Sequence, residues 1–486
     1  MVENTIQLYD TMTRSKRAFE PQEPGKVKMY ACGPTVYGDP HIGNFRSFVS
    51  ADLLRRWFEY RGYDVTMIMN VTDIDDKTIH DSAKAGEPIR QFTARYTKSF
   101  LRGLDLLHIR RATAYPRATN YIPQMIAFIQ GLLDKGAAYV AEDGVYFDID
   151  KSPGYGRLSG MDLAQVQTTE RMSKDEYDKE NAQDFALWKR STPEELKRSE
   201  TEDGIAWDSP WGKGRPGWHI ECSVMNMGLL GDTIDIHGGG EDLVFPHHTN
   251  EIAQSETLTG KTFAHYWFHI RHLMINGKKM SKSLGNYVSF DEVLARYSPD
   301  AFRYFYLATH YRRPLDYTDD AMKTAEGSAK RLENTLDLLE AALKGPDTNL
   351  DLDVRERKLL SEVAKHKAAF EAAMDDDLDS HTAIDSLHAM SGAVNDYLSG
   401  PANKGTVLRA YIAYRGLLNA LGLFEGRGGG ADQLTEQLIR TLIDLRNKYR
   451  SERNYKAGDE IRNRLTDLGV TLADAGGETT WKIEKK

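Results

Sequence analysis

The segment 27–70 constrains the fold of this chain more than any other stretch. Val27, Met29 and Ala31 alternate with polar neighbours, the period of a strand. A turn-rich stretch follows, from Cys32-Gly33-Pro34 to Gly38-Asp39-Pro40. From about Ile42 the apolar residues Phe45, Phe48, Val49, Leu53 and Trp57 recur near helical spacing, and Gly62 ends the run. Residues 63–70 read as a second strand. Strand, glycine-bearing loop, helix and strand form the opening unit of a doubly wound α/β sheet.

The rest of the chain departs from that rhythm twice. At 486 residues it exceeds one ordinary core, so about three or four domains are expected. Residues from about 120 to 205 interrupt the α/β pattern and include a highly charged stretch, 170–180, with no apolar face; this reads as an insertion that carries surface. The pattern resumes near Trp218. Past about residue 320 the chain becomes almost purely helical. Leu332, Leu336, Leu339 and Leu343 form one stripe that Gly345-Pro346 stops, and further helical patterns cover 353–375, 380–398 and 404–422, which predicts a helix bundle. Gly426-Arg427-Gly428-Gly429-Gly430 reads as a flexible joint. Beyond it Leu434, Leu438, Leu442, Leu445 and Tyr449 mark another helix, and the tail reads as a small hairpin.

With 63 basic and 72 acidic residues the net charge is −9. That argues against a protein that coats nucleic acid non-specifically, but not against a nucleic-acid partner, because a binding face is a local property. Two cysteines are too few for a secreted disulfide scaffold, and a reducing cytoplasm is the simpler setting. The first residues show no basic region followed by an apolar run, and no window approaches 18 uninterrupted apolar residues, so neither a signal peptide nor a membrane span is expected.

Two short motifs carry the chemistry. His41-Ile42-Gly43-Asn44 falls at the first strand–turn–helix junction, and Lys279-Met280-Ser281-Lys282-Ser283 lies far downstream between Gly277 and Gly285. A helix N-terminus offers free N–H groups and a favourable dipole to a phosphate. His41 lies where the turn aims it at phosphates, Gly43 removes a side chain where a base or sugar must come close, and Lys279 and Lys282 supply mobile positive charge. Together, in this order, the motifs resemble the two ATP signatures of a class I aminoacyl-tRNA synthetase. The resemblance implies adenylation, in which an acid attacks the α-phosphate of ATP, with Mg²⁺, and pyrophosphate leaves. Asn44 replaces the histidine more usual at the fourth position; an amide can donate a hydrogen bond there but carries no charge.

Those signatures do not name the amino acid. Cys222 is followed by Phe245-Pro246-His247-His248-Thr249-Asn250-Glu251, and on a helix His247 and Glu251 would share one face. With Cys32 arriving from the loop before His41, a cysteine, histidine and carboxylate set would suit Zn²⁺. Two buried free cysteines and an ordinary helical His/Glu pair fit the same spacing. Longer segments add a resemblance: Cys32-Gly33-Pro34-Thr35-Val36-Tyr37, Asn70-Val71-Thr72-Asp73-Ile74-Asp75-Asp76-Lys77, Gly214-Arg215-Pro216-Gly217-Trp218-His219-Ile220-Glu221-Cys222 and His237-Gly238-Gly239-Gly240-Glu241-Asp242-Leu243 are similar to the cysteinyl-tRNA synthetase family over essentially the whole length.

That resemblance implies one zinc ion on Cys32, Cys222, His247 and Glu251 that binds the substrate thiol. It also implies Thr72 and Trp218 beside the cysteine substrate, and His237 and Asp242 in the nucleotide pocket. The implied fold is α/β: a class I synthetase Rossmann-like parallel sheet with an insertion, then an α-helical bundle, then a small α+β C-terminal domain. The expected boundaries are 1–120 and 206–255 for the catalytic domain, 121–205 for the connective insertion, 256–319 for a stem-contact region with the lysine loop, 320–425 for a DALR-type bundle and 431–486 for an anticodon-binding domain. The implied partners are L-cysteine, ATP and tRNA(Cys), with no membrane, for a cytoplasmic monomer.

For the tRNA side, 440–464 holds eight basic and four acidic residues. Arg446, Lys448, Arg450 and Arg453, with Trp481, are the expected contacts, combining phosphate binding with base stacking. The rival readings are a paralogous ligase joining cysteine to an amino sugar, against which residues 320–486 speak, and a non-catalytic tRNA- or zinc-binding homologue, against which the intact His41, lysines and metal set speak.

Overall fold

The computed structural model describes residues 5–160, 184–280, 286–344, 353–425, 430–452, 454–467, 470–475 and 478–483. The charged stretch 170–180, the predicted helix stop at Gly345-Pro346 and most of the glycine joint lie outside them. The chain divides into two compact units, Met1–Leu423 and Phe424–Lys486.

The first unit is built on a four-stranded parallel sheet. Its strands are β1 (Lys26–Ala31), β2 (Asp64–Met69), β3 (Ile234–Gly240) and β4 (Ala264–Ile270), in the order β4-β3-β1-β2. Parallel strands buried on both faces read as continuous apolar runs, as Met67-Ile68-Met69 does. The order places the carboxyl ends of β1 and β3 side by side, with Ala31 opposite Gly238. Helix α1 (Ile42–Tyr60) follows β1 and is buried around most of its circumference, including Phe45, Phe48, Leu54, Trp57 and Phe58. Each such side chain contributes about 1.5–3 kcal/mol on burial. Helix α2 (Asp76–Ala85) follows β2, and Asp75 caps it with a reciprocal Asp75–Thr78 box. Capping is thus the use the acidic run 73–76 finds at Asp75, while Asp73 accepts from Thr119 N–H and Oγ1–H.

The insertion forms its own antiparallel sheet from Ala138–Ala141, Gly144–Phe147, Phe185–Arg190 and Gly214–Pro216. Two expected boundaries are therefore corrected. Gly214–Pro216 belongs to the insertion's sheet although it lies past residue 205, and β4 belongs to the parallel sheet although it lies past residue 255. The reason is that a ladder of hydrogen bonds, not sequence proximity, decides which sheet a strand joins.

After α3 (Trp218–Leu230), β3, α4 (Thr249–Thr259) and β4, the chain builds a small second sheet. Strands β5 (Leu273–Ile275) and β6 (Lys278–Lys279) form a hairpin, and β7 (Leu315–Tyr317) pairs in parallel with β5. Asn276 (φ 49°) and Gly277 (φ 74°) make the hairpin turn, the asparagine–glycine signal for two left-handed residues in succession. Helices α5 (Asp319–Leu343), α6 (Val354–Asp375), α7 (Ser380–Leu398) and α8 (Lys404–Leu421) pack as a bundle, within about one residue of the predicted spans. Leu332, Leu336 and Leu339 are fully buried in it.

The second unit comprises α9 (Gly430–Ser451), α10 (Tyr455–Asp467) and the predicted hairpin, β8 (Val470–Ala475) with β9 (Glu478–Ile483). Its small core joins Ile439, Ile443, Leu465, Val470 and Leu472, with Ile461 and Trp481 packed against it.

Candidate active site

A cleft of about 400 Å³ opens at the carboxyl ends of β1 and β3, and its lining includes Cys32, His41, Gly43, Asn44, Trp218 and Asp242. His41 is the N-cap of α1 and forms a reciprocal box with Asn44. The Asn44 backbone N–H donates to His41 Nδ1 (3.3 Å), and the His41 N–H donates to Asn44 Oδ1 (3.1 Å). This arrangement puts the proton of a neutral His41 ring on Nε2. It also turns the Asn44 side-chain oxygen toward the backbone, a use of residue 44 that the sequence left open.

The structure brings Met280 of the lysine motif against the histidine motif. A side chain on Gly43 would meet the His41 ring and Met280 Cε, each at 3.1 Å. Tyr287, just beyond the lysine motif, sets its ring edge-on to His41 at 5.7 Å between centroids. Lys279 lies on β6, and its side chain and all of Lys282 fall outside what is described.

The metal-ligand candidates converge from three elements. Cys32 follows β1 directly, Cys222 sits in the second turn of α3, and His247 and Glu251 straddle the start of α4. Cys32 Sγ lies 3.8 Å from Cys222 Sγ and 3.9 Å from Glu251 Oε1, and His247 Nε2 lies 3.1 Å from the same oxygen. One ligand atom from each of the four falls within 4.8 Å of the others. Two thiols, an imidazole and a carboxylate so close together fit a zinc ion in ligand type and number. Burial and mutual contact also shift their proton affinities; burial, with Cys222 and Glu251, raises the Cys32 thiol well above its ordinary value. The hydrogen bond from Cys32, set against burial, brings the Cys222 thiol down to about 6. Burial would raise Glu251, but His237 and His247 hold it at about 2. Burial would lower His247, yet Glu251 and Cys222 raise it to about 10. Cys222 and Glu251 thus concentrate negative charge, while His247 and Cys32 hold protons that a bound cation would displace.

Close packing makes this site. A Cβ on Gly33 would stand 1.8 Å from the Asn70 carbonyl oxygen, so only glycine lets the chain after Cys32 lie against the end of β2. Asn70 Oδ1 accepts the Gly33 N–H at 2.8 Å.

Two expected site residues stand off the cleft wall. His237 does not line the cleft: it is fully buried, its Nε2 lies 2.8 Å from Glu251 Oε2, and its ring stacks on Trp267. The alternation of β3 points it to the metal cluster, whereas Asp242, beyond the strand, does line the cleft. Thr72 is also buried, and its hydroxyl donates to Glu221 (2.9 Å) and accepts from Asn70 (3.2 Å), beneath the cleft rather than on its wall. Trp218 is at the wall, with its ring centroid 4.1 Å from that of His247.

Sequence reasoning missed three residues of the cluster. His219 Nδ1 lies 3.1 Å from His247 Nδ1, and His248 Nε2 lies 3.3 Å from Cys32 Sγ. His248 Nδ1 lies 2.7 Å from His269 Nε2, whose Nδ1 reaches Thr11 Oγ1 at 2.8 Å. Burial and neighbouring histidines hold His248 well below its ordinary range, and burial with His237 lowers His269 to about 3. Only their concentration as histidines beside Trp218, His247 and Trp267 could have signalled them.

In the second unit Lys448 and Arg450 are exposed, and Trp481 is half-buried against the core. Arg446 is corrected: it is 1% exposed and donates to Asn447 and Thr479, because its position on α9 faces the unit's interior. Arg453 lies outside the described residues. Among the described residues no helix is long and apolar enough to cross a membrane.

Residues 18–327 match the family of class I (C) tRNA synthetase catalytic domains, and residues 369–425 match the DALR domain. The cysteine–tRNA ligase of Thermococcus onnurineus is 42% identical over 482 residues, spanning 98% of this chain and 99% of that protein. That of Geobacillus thermodenitrificans is 42% identical over 480 residues, spanning 99% of each. Among solved structures, Mycobacterium tuberculosis methionyl-tRNA synthetase in complex with methionyl-adenylate superposes with a TM-score of 0.57 at 15% identity, over 82% of this chain and 89% of that one. The ternary complex of Agrobacterium radiobacter K84 agnB2 LeuRS with tRNA and LeuAMS gives 0.60 at 13% identity, over 83% and 85%. At those identities the likeness shows the fold.

Proposed function

Since the chain belongs to the cysteine–tRNA ligase family of class I aminoacyl-tRNA synthetases, we propose that it activates L-cysteine with ATP and passes the cysteinyl group to the 3′ end of tRNA(Cys), selecting the substrate by its thiol. The observation that supports this most is the junction of two sites: Cys32 lies in the metal-ligand cluster and on the wall of the cleft that also holds His41 and Asn44.

In the first step a cysteine carboxylate oxygen attacks the α-phosphorus of ATP, the bond from that phosphorus to the bridging oxygen breaks, and pyrophosphate leaves with Mg²⁺. His41 donates from Nε2 to a phosphate oxygen. Lys279 and Lys282 act on the charge that develops toward pyrophosphate, an effect on rate more than on affinity. In the second step a ribose hydroxyl of the tRNA attacks the acyl carbon, AMP leaves, and the hydroxyl proton departs with it or to solvent.

Cys32, Cys222, His247 and Glu251 would hold the zinc. When bound, zinc supplies a Lewis acid that favours a thiolate far more than an alcohol. Size alone separates cysteine from serine poorly, by roughly 10–200-fold. Four protein ligands plus a thiolate would exceed the usual tetrahedral number, so the site would either expand to five or loosen one ligand, and Glu251, which also pairs with His237, is the ligand that would give way. Trp218 bounds the amino-acid site, Asp242 faces the nucleotide, and Lys448, Arg450 and Arg453 contact the tRNA of this cytoplasmic monomer.

Aminoacylation of total tRNA with each amino acid tests the reading. Cysteine alone should be charged, onto one tRNA. Zinc-edge X-ray absorption should gain one sulfur when cysteine is added; charging of another amino acid, or no added sulfur, would overturn it.

A further inference from the structure

Arg46 stands out among the buried groups that the proposed chemistry does not use. It is 2% exposed, in the second turn of α1, beyond His41 and Asn44 and next to Ser47 of the cleft lining. Among the described residues no carboxylate forms an ion pair with it. Its guanidinium donates to three backbone carbonyls instead: Nη1 to His272 O at 3.1 Å, and Nη2 to His310 O at 3.5 Å and to Arg313 O. A buried cation that no carboxylate touches is costly even with Glu241 in the neighbourhood, so its position needs a reason beyond filling space.

Those carbonyls belong to the segments that launch both parallel strands of the small sheet. His272 immediately precedes β5, Arg313 closely precedes β7, and the Leu315 N–H donates to the same His272 carbonyl at 3.2 Å. β5 and β7 pair from their first residues, Leu273 opposite Leu315. β6, which carries Lys279, is fixed to β5 by the hairpin register, with Met274 opposite Lys279. Asp316 of β7 takes the Gly277 N–H of the hairpin turn at 2.9 and 3.0 Å. A second tie enters on the cleft side, where Glu241 accepts the His272 N–H at 2.9 Å. The planar fork of one guanidinium thus joins the helix that presents His41 to the sheet that presents Lys279. A lysine, with a point charge and no fork, could not reproduce it.

We infer that Arg46 is a positioning residue that sets the separation between the two ATP signatures. It touches no substrate. It acts through α1 and through β5–β7, and so bears on the adenylation step, in which both signatures must meet one triphosphate. It does not bear on the transfer step, which begins after pyrophosphate has left. The inference rests on the adenylation reading above.

Full-length, zinc-loaded Arg46→Met and Arg46→Lys are compared with wild type by single-turnover rates of adenylate formation and of transfer from pre-formed cysteinyl-adenylate to tRNA. Arg46→Met should slow adenylate formation by about 10²-fold, the scale of a displacement near 1 Å between reacting groups, while transfer stays within about threefold. Arg46→Lys should fall between, with the same asymmetry. Equal slowing of both steps, or adenylate formation close to wild type, overturns the assignment, and Arg46→Lys decides alone if the methionine variant does not fold. Wild type without cysteine-dependent adenylate formation would overturn the adenylation reading itself, a separate failure.

Discussion

Replacing Asp52 by alanine should destabilise the first unit by about 3–4 kcal/mol. Asp52 on α1 is completely buried and holds two guanidinium groups that are equally buried. Its Oδ2 accepts from Arg56 Nε at 2.6 Å and from Arg303 Nη2 at 2.5 Å, and its Oδ1 accepts the Arg110 N–H at 2.9 Å. Removing the carboxylate leaves two cations without their counter-ion and one amide unpaired. Breaking a buried pair in this way costs about 3–5 kcal/mol. The lower half of that range applies, because both cations keep carbonyl partners. Arg303 retains Leu421 O at 2.7 Å and Leu107 O at 2.8 Å, and Arg56 retains Asn419 O at 3.0 Å and His108 O. In a unit of this size the loss corresponds to a fall in midpoint of roughly 3–5 °C, since an unfolding entropy of about 2 cal/mol/K per residue makes each kcal/mol worth about 1 °C.

The pH dependence gives a second readout. Burial alone would raise the Asp52 carboxyl, but Arg303 and Arg56 outweigh it and hold the group below its ordinary value. A depressed carboxylate contributes its full stability above the unfolded value, about 4, and loses it as pH falls from there through the folded value. The gap between wild type and Asp52→Ala should therefore be widest near neutrality and narrow below about pH 4. Urea and thermal unfolding of the full chain, followed by circular dichroism at several pH values, measure both. A cost under about 1 kcal/mol at pH 7, as for an exposed ion pair, would refute the reasoning. So would a gap that does not change in acid.

Three further outcomes follow from the site. Asn44→Ala removes the acceptor for the His41 N–H; it should cost about 1 kcal/mol of stability, within the range for a lost cap, and slow adenylate formation by about tenfold, whereas an unchanged rate would show that the amide does not orient His41. Gly33→Ala forces a methyl to 1.8 Å from the Asn70 carbonyl oxygen, where backbone must move; zinc content measured by atomic absorption should fall with activity, and a fully loaded, active variant would contradict the packing argument. Deleting residues 431–486 should leave cysteine-dependent ATP–pyrophosphate exchange largely intact and weaken tRNA charging, and equal loss of both would contradict that division of labour.

Much that depends on neighbours a few residues apart was legible in the sequence, although the Asn276-Gly277 hairpin was not read there. Alternation at 27–31, helical spacing from Ile42 and the leucine stripe from Leu332 each report a local period, and the structure has β1, α1 and α5 at those places. The four metal-ligand candidates were legible too, through resemblance over long segments rather than through spacing, since Cys32 and Cys222 share no local pattern.

Only the tertiary structure decided which distant side chains meet. The order β4-β3-β1-β2 pairs His237, midway along β3, with Tyr30 of β1, two residues before Cys32, so a histidine expected to face the nucleotide faces Glu251 instead. The same ordering brings His219, His248 and His269 around the cluster, sinks Thr72 under the cleft, and lets Arg46 reach carbonyls of His272 and Arg313. In the second unit the rotation of α9 turns Arg446 inward while Lys448 stays in solvent. The physical reason is common to all of them. Periodicity and turn chemistry follow from the backbone's local geometry, whereas the contacts of a buried polar group depend on which strand ends and helix faces become neighbours. The sequence by itself determined the α/β opening, the bundle and the residues able to bind zinc and phosphate; the packing determined which of them share a site.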